Sequence, residues 1–201
     1  RFYATRERYA GLGIPWRRGY LLYGPPGTGK TSLVTALASE LRLNVCTLSL
    51  ASPVVTDEKI HSLLAGVPQR SLLLIEDVDT FFRQRDAAHA QVRLSFSGFL
   101  NALDGVATQE GSVLFMTTNH AGQLDPALIR AGRIDERIEL GLCDADQLRR
   151  LYLKFDPDEA AARAYAAARA EQALAPAQVQ AELMARLGVG SGRPVADAQG
   201  G

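Results

Sequence analysis

Five short, mostly apolar runs, at 20–23, 44–48, 71–76, 113–118 and 137–140, alternate with longer stretches at 31–41, 57–64 and 94–103. In those longer stretches apolar residues recur every three or four positions. Runs of near-strand length that are apolar almost throughout predict strands covered on both faces. The periodic stretches predict amphipathic helices. Their alternation predicts an α/β fold: a five-stranded, mostly parallel sheet flanked by helices. A further short helix is expected at 126–130, where Asp125 offers a cap and Pro126 a first helical residue.

Past residue 142 the texture changes. Stretches 144–155, 157–173 and 176–187 are rich in Ala, Arg, Glu and Leu and read as a small helical domain. The tail 188–201 holds five Gly and few apolar residues and is expected to be disordered. The division expected is therefore an α/β domain at 1–142, a helical lid at 143–187 and a tail.

Composition narrows the function classes. Lys plus Arg and Asp plus Glu balance at 22 each in 201 residues, which leaves no electrostatic footprint for bulk nucleic acid. Tyr9, Tyr20, Tyr23, Phe81, Phe82, Phe96 and Phe99 lack interleaved basic residues and read as packing rather than base-stacking groups; Phe81 and Phe82 are also candidates to line a subunit interface. Cys46 and Cys143 sit in or beside apolar runs and read as buried thiols of a reducing compartment. His61, His89 and His120 are scattered, without metal-ligand spacing. No apolar run is long enough to span a bilayer and no signal peptide is present. The chain opens at Arg1, inside what reads as a helix, so a piece of a longer protein is expected. A membrane anchor upstream is compatible with that. The expected setting is cytoplasmic, or facing the matrix or cytoplasm from such an anchor.

The chemistry begins at GPPGTGKT, 24–31, between the first strand and the first helix. Strand, Gly-rich loop and helix form the phosphate-binding arrangement. Gly24, Gly27 and Gly29 allow the tight turn, and the intervening Pro25, Pro26 and Thr28 complete the loop around the phosphates. Backbone N–H groups and the helix N-terminus, which runs on through Ser32, supply an anion nest. Lys30 can reach the β- and γ-phosphates and Thr31 can ligate Mg²⁺.

LLLIEDVD, 72–79, then delivers carboxylates to the same sheet edge. Glu76 falls on the metal side and Asp77 on the water side, with Thr31 completing the metal set. This order reverses the commoner Asp-Glu pair and leaves the general base open between Asp77 and Glu76. Asp79 reads as a cap. At Asn119, closing the fourth strand, an amide can orient the attacking water. Arg130 and Arg133, three apart at the end of the expected short helix, suit display toward a neighbouring subunit as arginine fingers.

Asn119, Asp125, Pro126, Ala127, Leu128, Arg130, Gly132 and Arg133 fall at the spacing of the second region of homology of AAA ATPases, and GPPGTGKT is the usual AAA form of the loop. The chain resembles that family over about residues 9 to 142. Stretches 13–32, 72–79, 94–111 and 114–135 are similar to the branch containing the mitochondrial chaperone that translocates the Rieske iron–sulfur protein. That branch shares the Glu-Asp order. The resemblance implies an Mg²⁺-dependent ATPase binding ATP and ADP, assembled as a homo-oligomeric ring of six or seven subunits and acting on a protein client. It also places residues 10–13 near the adenine. Three departures stand out: no arginine near 175–178 to sense the γ-phosphate, no aromatic or Gly in the loop 51–56, and a stretch 83–93 shorter than in the mitochondrial proteins. Two other readings compete: a nucleotide-gated scaffold with little turnover, and an AAA motor acting on nucleic acid. A protease component is disfavoured by the lack of HExxH.

Overall fold

The computed structural model describes residues 2–68, 70–85, 94–106 and 110–186, without the side chains of residues 3, 82–85 and 106. The tail expected at 188–201, most of the stretch 83–93 and the side chain of Phe82 lie outside the described residues. The chain divides into two compact units, at Arg1–Leu140 and Gly141–Gly201.

The first unit is built on β1 (Arg18–Tyr23), β2 (Asn44–Ser49), β3 (Ser71–Glu76), β4 (Val113–Thr118) and β5 (Glu136–Glu139). All neighbouring pairs are parallel, in the order β2-β3-β4-β1-β5. A short α1 (Arg6–Gly11) precedes β1, and α2 (Lys30–Leu41), α3 (Asp57–Ala65), α4 (Val78–Arg85) and α5 (Phe96–Val106) connect the strands. Side chains alternate across the sheet, so neighbours in sequence serve opposite cores. Leu72, Leu74, Val113 and Phe115 pack with Val34 and Ala38 of α2 on one face. Leu73, Ile75, Leu114 and Met116 pack with Ile60, Leu64, Phe99 and Leu103 of α3 and α5 on the other. Covering on both faces is why β3 and β4 are apolar at nearly every position. β5, an edge strand, carries Glu136, Arg137 and Glu139 and is exposed throughout, a composition that discourages pairing with another chain.

The second unit is a three-helix cluster of α6 (Ala145–Tyr152), α7 (Glu159–Arg169) and α8 (Pro176–Arg186) around Leu148, Tyr165, Val179 and Leu183. Its helices start on strong caps. Asp144 accepts from the Gln147 N–H at 2.7 Å while Gln147 Oε1 accepts from the Asp144 N–H at 3.0 Å. Asp158 caps α7. Cys143 is buried, Cys46 half-buried, and neither is in a disulfide; burial raises the Cys143 thiol pKa.

Two sequence expectations need correction. The helix expected at 126–130 does not form; that segment is a series of turns. Its cap is real, since Asp125 Oδ1 accepts from the Ala127 N–H at 2.8 Å. Five residues cannot offset the cost of helix nucleation, and the chain reverses again at Gly132, where φ is 91°. Phe81, offered as an interface residue, is 5% exposed and packs edge-on against Phe99 inside the core.

Candidate nucleotide site

Parallel strands end on one edge, and the register sets which residues meet there. Tyr23 pairs with Thr118, Ile75 with Met116, and Ser49 with Glu76. The residue after β1 is Gly24, at φ 136°. An added Cβ there would collide with the Leu140 carbonyl, so only glycine allows the loop to leave β1 against β5. Gly29, at φ 94°, is the N-cap of α2. The loop thus delivers Lys30 and Thr31 into the first turn of the helix. Thr28 braces the loop from within, donating to the Pro25 carbonyl at 2.9 Å.

Lys30 is 7% exposed, and its Nζ donates to the Gly24 and Pro25 carbonyls at 2.8 and 2.9 Å and to Asn119 Oδ1 at 2.8 Å. Burial lowers its pKa, and Asp77 and Asp79 oppose that shift. All three donors of the ammonium group thus have acceptors within the loop and at Asn119. Thr31 Oγ1 donates to Glu76 Oε1 at 2.7 Å. That contact tests the metal reading. Two hard oxygen donors, from the first turn of α2 and the end of β3, share one position beside the loop. Mg²⁺ takes few protein ligands and keeps waters or phosphate oxygens for the rest, so this pair fits it. No cluster of three or more His, Cys, Asp or Glu occurs among the described residues, as such a site requires none.

Asp77 follows Glu76 at φ 46°, left-handed backbone that Asp tolerates better than most residues. This kink separates the two carboxylates. Glu76 stays beside Thr31, while Asp77 is exposed and its Oδ1 meets Asn119 Nδ2 at 3.4 Å. Asn119 therefore lies between Lys30 and Asp77.

Sequence reasoning missed the residues that hold this arrangement. Asp79, read as a cap, is 1% exposed, accepts from Thr118 Oγ1 at 2.7 Å and from the Asn119 N–H at 3.2 Å, and so fixes the end of β4. Thr117, 2% exposed, accepts from the Asp77 N–H at 3.1 Å. The signal for both was the register of β3 and β4, which no local motif carries.

Arg130 and Arg133 part company. Arg130 is exposed; its side chain is 59% accessible. Arg133, expected on display, is 4% exposed and forked onto Asp104 of α5, Nε to Oδ1 at 2.8 Å and Nη2 to Oδ2 at 2.7 Å. The fork of Arg133 holds the Asp104 carboxyl below its ordinary pKa. The structure does not gather either arginine at the chain's own Lys30.

Residues 20–142, well over half of the chain, match the model of the ATPase family associated with various cellular activities (AAA). The chain belongs to the AAA family. Within it, the chain is 49% identical over 187 residues to the human mitochondrial chaperone BCS1, covering 88% of this chain and 45% of that protein. It is 42% identical over 215 residues to the probable mitochondrial chaperone BCS1-B of Dictyostelium discoideum, covering 92% and 47%. The fission yeast relative, a probable mitochondrial chaperone bcs1, is 47% identical over 159 residues, covering 77% and 35%. The chain thus spans about half, or less, of the length of these curated relatives. Among the described residues no helix is long and apolar enough to cross a membrane.

Proposed function

We propose that this AAA chain binds and hydrolyses Mg-ATP at the Lys30–Asn119 edge of its sheet, within a homo-oligomeric ring that remodels or translocates a protein client. The observation that carries the reading is the pair of contacts Lys30–Asn119 and Thr31–Glu76, which tie the first turn of α2 to the ends of β4 and β3 at one edge of the sheet. In this reading the loop N–H groups and Lys30 bind the β- and γ-phosphates, Thr31 and Glu76 hold Mg²⁺, Asn119 orients water and Asp77 accepts its proton. The metal supplies charge neutralisation of the phosphates when bound. Arg130 of a neighbouring subunit approaches the γ-phosphate from outside. The client class rests on the relatives' names, which describe mitochondrial chaperones. Those names also favour a mitochondrial setting, with any membrane anchor upstream.

Phosphate release measured across a range of protein concentrations tests the shared site. The rate per chain should rise with concentration as rings form, and Arg130→Ala should lower it by about a thousandfold with ATP affinity unchanged. A rate per chain independent of concentration, with Arg130→Ala as active as the parent, would sink the shared-site reading. Tight ATP binding without phosphate release in the parent chain would put a nucleotide-gated scaffold in its place.

A further inference from the structure

We propose that the two arginines play different parts. Arg130 reaches the neighbouring subunit's phosphate, and Arg133 is a strut that Asp104 clamps, which makes Asp104 and Arg133 positioning residues. The proposal rests on the shared-site reading above.

Arg133 has no free reach. Its fork is closed on Asp104, and Nη1 donates to the Ala127 carbonyl. To serve a neighbour it would have to abandon a bidentate ion pair and leave both acceptors behind. Its backbone is equally fixed. The Arg133 carbonyl lies against Gly19 of β1, where any Cβ would collide with it. Two residues on, the Asp135 N–H donates to the Gly19 carbonyl at 2.8 Å while Asp135 Oδ2 accepts from the Gly19 N–H at 2.8 Å. Arg17 closes the turn by donating to the Gly132 carbonyl.

Arg130 has the opposite character. Its one described side-chain partner is the same Asp104 Oδ2, at 3.5 Å, the outer limit of a hydrogen bond. Its carbonyl accepts from the N–H groups of Arg133 at 3.1 Å and Ile134 at 3.2 Å, so the turn bearing Arg130 stands on the strut. Two guanidiniums, of Arg130 and Arg133, meet one carboxylate. Arg133 takes the short bonds and neutralises it. Arg130 is left as exposed positive charge beside a weak, exchangeable contact, the state from which a phosphate can draw it away.

The test replaces buried Arg133 and its half-exposed partner by apolar residues of similar size, Asp104→Leu with Arg133→Met, so that neither charge is left without the other. Phosphate release, fluorescent-nucleotide affinity and oligomer size are measured on the full chain, beside Arg130→Ala and Arg133→Met alone. The double variant should assemble, bind ATP and keep turnover within about tenfold of the parent, whereas Arg130→Ala loses about a thousandfold. Arg133→Met alone should be slower than the double variant. In it Asp104 keeps its charge, loses its fork and captures Arg130; removing that charge restores kcat while oligomer size and ATP affinity stay the same in both variants, whereas a loss of folding would lower those as well. If the double variant does not fold, Arg133→Lys serves: a lysine keeps a charge opposite Asp104 but not the fork, so turnover should fall yet stay well above that of Arg130→Ala. A double variant, or Arg133→Lys, that assembles and binds ATP but is as inactive as Arg130→Ala overturns the division alone. Turnover untouched by Arg130→Ala overturns the division together with the shared-site reading.

Discussion

In the α/β unit the polar side chains that shape the site join residues far apart in the chain. Lys30 meets Asn119, Thr31 meets Glu76, Asp79 meets Thr118 and Arg133 meets Asp104, the first pair 89 residues apart. In the helical unit the charged side chains pair close by. Arg149 and Arg150 both hold Asp146, Arg163 holds Glu159, and Arg169 and Arg186 share Glu182 while stacking on Tyr165. The long-range pairs of the α/β unit include buried groups and fix the ends of strands. The pairs of the helical unit are mostly exposed; Arg149–Glu159 and Arg169–Glu182 tie neighbouring helices, and the others lie within one helix. Every arginine among the described residues of that unit is so engaged, and Gln178 turns back to accept from the Ala175 N–H at 2.8 Å. Among the described residues of the unit, the lack of a γ-phosphate-sensing arginine near 175–178 is therefore not made good by a spare guanidinium elsewhere.

The comparison breaks first at Lys30 if it breaks at all. Lys30→Ala removes a buried cation with three acceptors and leaves Asn119 Oδ1 without its donor. Nucleotide affinity should fall by about a hundredfold or more, and turnover with it. Fluorescent-nucleotide titration and phosphate release read both. A variant that still binds ATP at the parent's affinity would mean that the loop N–H groups do the binding unaided.

The helical unit should instead be sensitive in its apolar core. Leu148 is 1% exposed among Tyr165, Val179 and Leu183. Leu148→Ala should cost about 2–5 kcal/mol of that unit's stability, seen as faster hydrogen exchange across α6, α7 and α8. Unchanged exchange there would show that the cluster is not a core.

How much of this was legible in the sequence depends on how local the cause is. The runs at 71–76 and 113–118 became strands with those bounds, because burial on both faces forces apolar residues at nearly every position. The first strand starts two residues earlier than expected, at Arg18, whose side chain reaches Tyr9 and Glu136. Lys30 and Thr31 were legible because loop, strand and helix are contiguous in sequence. Asp104 was not, since its partner lies 29 residues on and an acid near the end of an amphipathic helix looks like solvated surface. The burial of Arg133 was hidden for the same reason. Spacing gives the position of an arginine in a turn, and only the packing of α5 against that turn decides which of two arginines faces outward.

The smallest effect is expected at Arg163. Its side chain is 74% exposed and holds Glu159 at 3.0 Å one helical turn away. Exposed pairs of this kind gain little, because solvent screens them and both long side chains lose freedom. Glu159 also keeps Arg149 at 3.1 Å, so losing Arg163 orphans nothing. Alanine is a slightly better helix former than arginine, which offsets part of the loss. Arg163→Ala should therefore move the thermal midpoint by less than about 2 °C and leave phosphate release unchanged. A well-folded Arg163→Ala chain with turnover reduced tenfold would break the comparison at its weakest-looking point. It would mean that an arginine of the helical unit acts on the nucleotide after all, despite pairing with its own helix here.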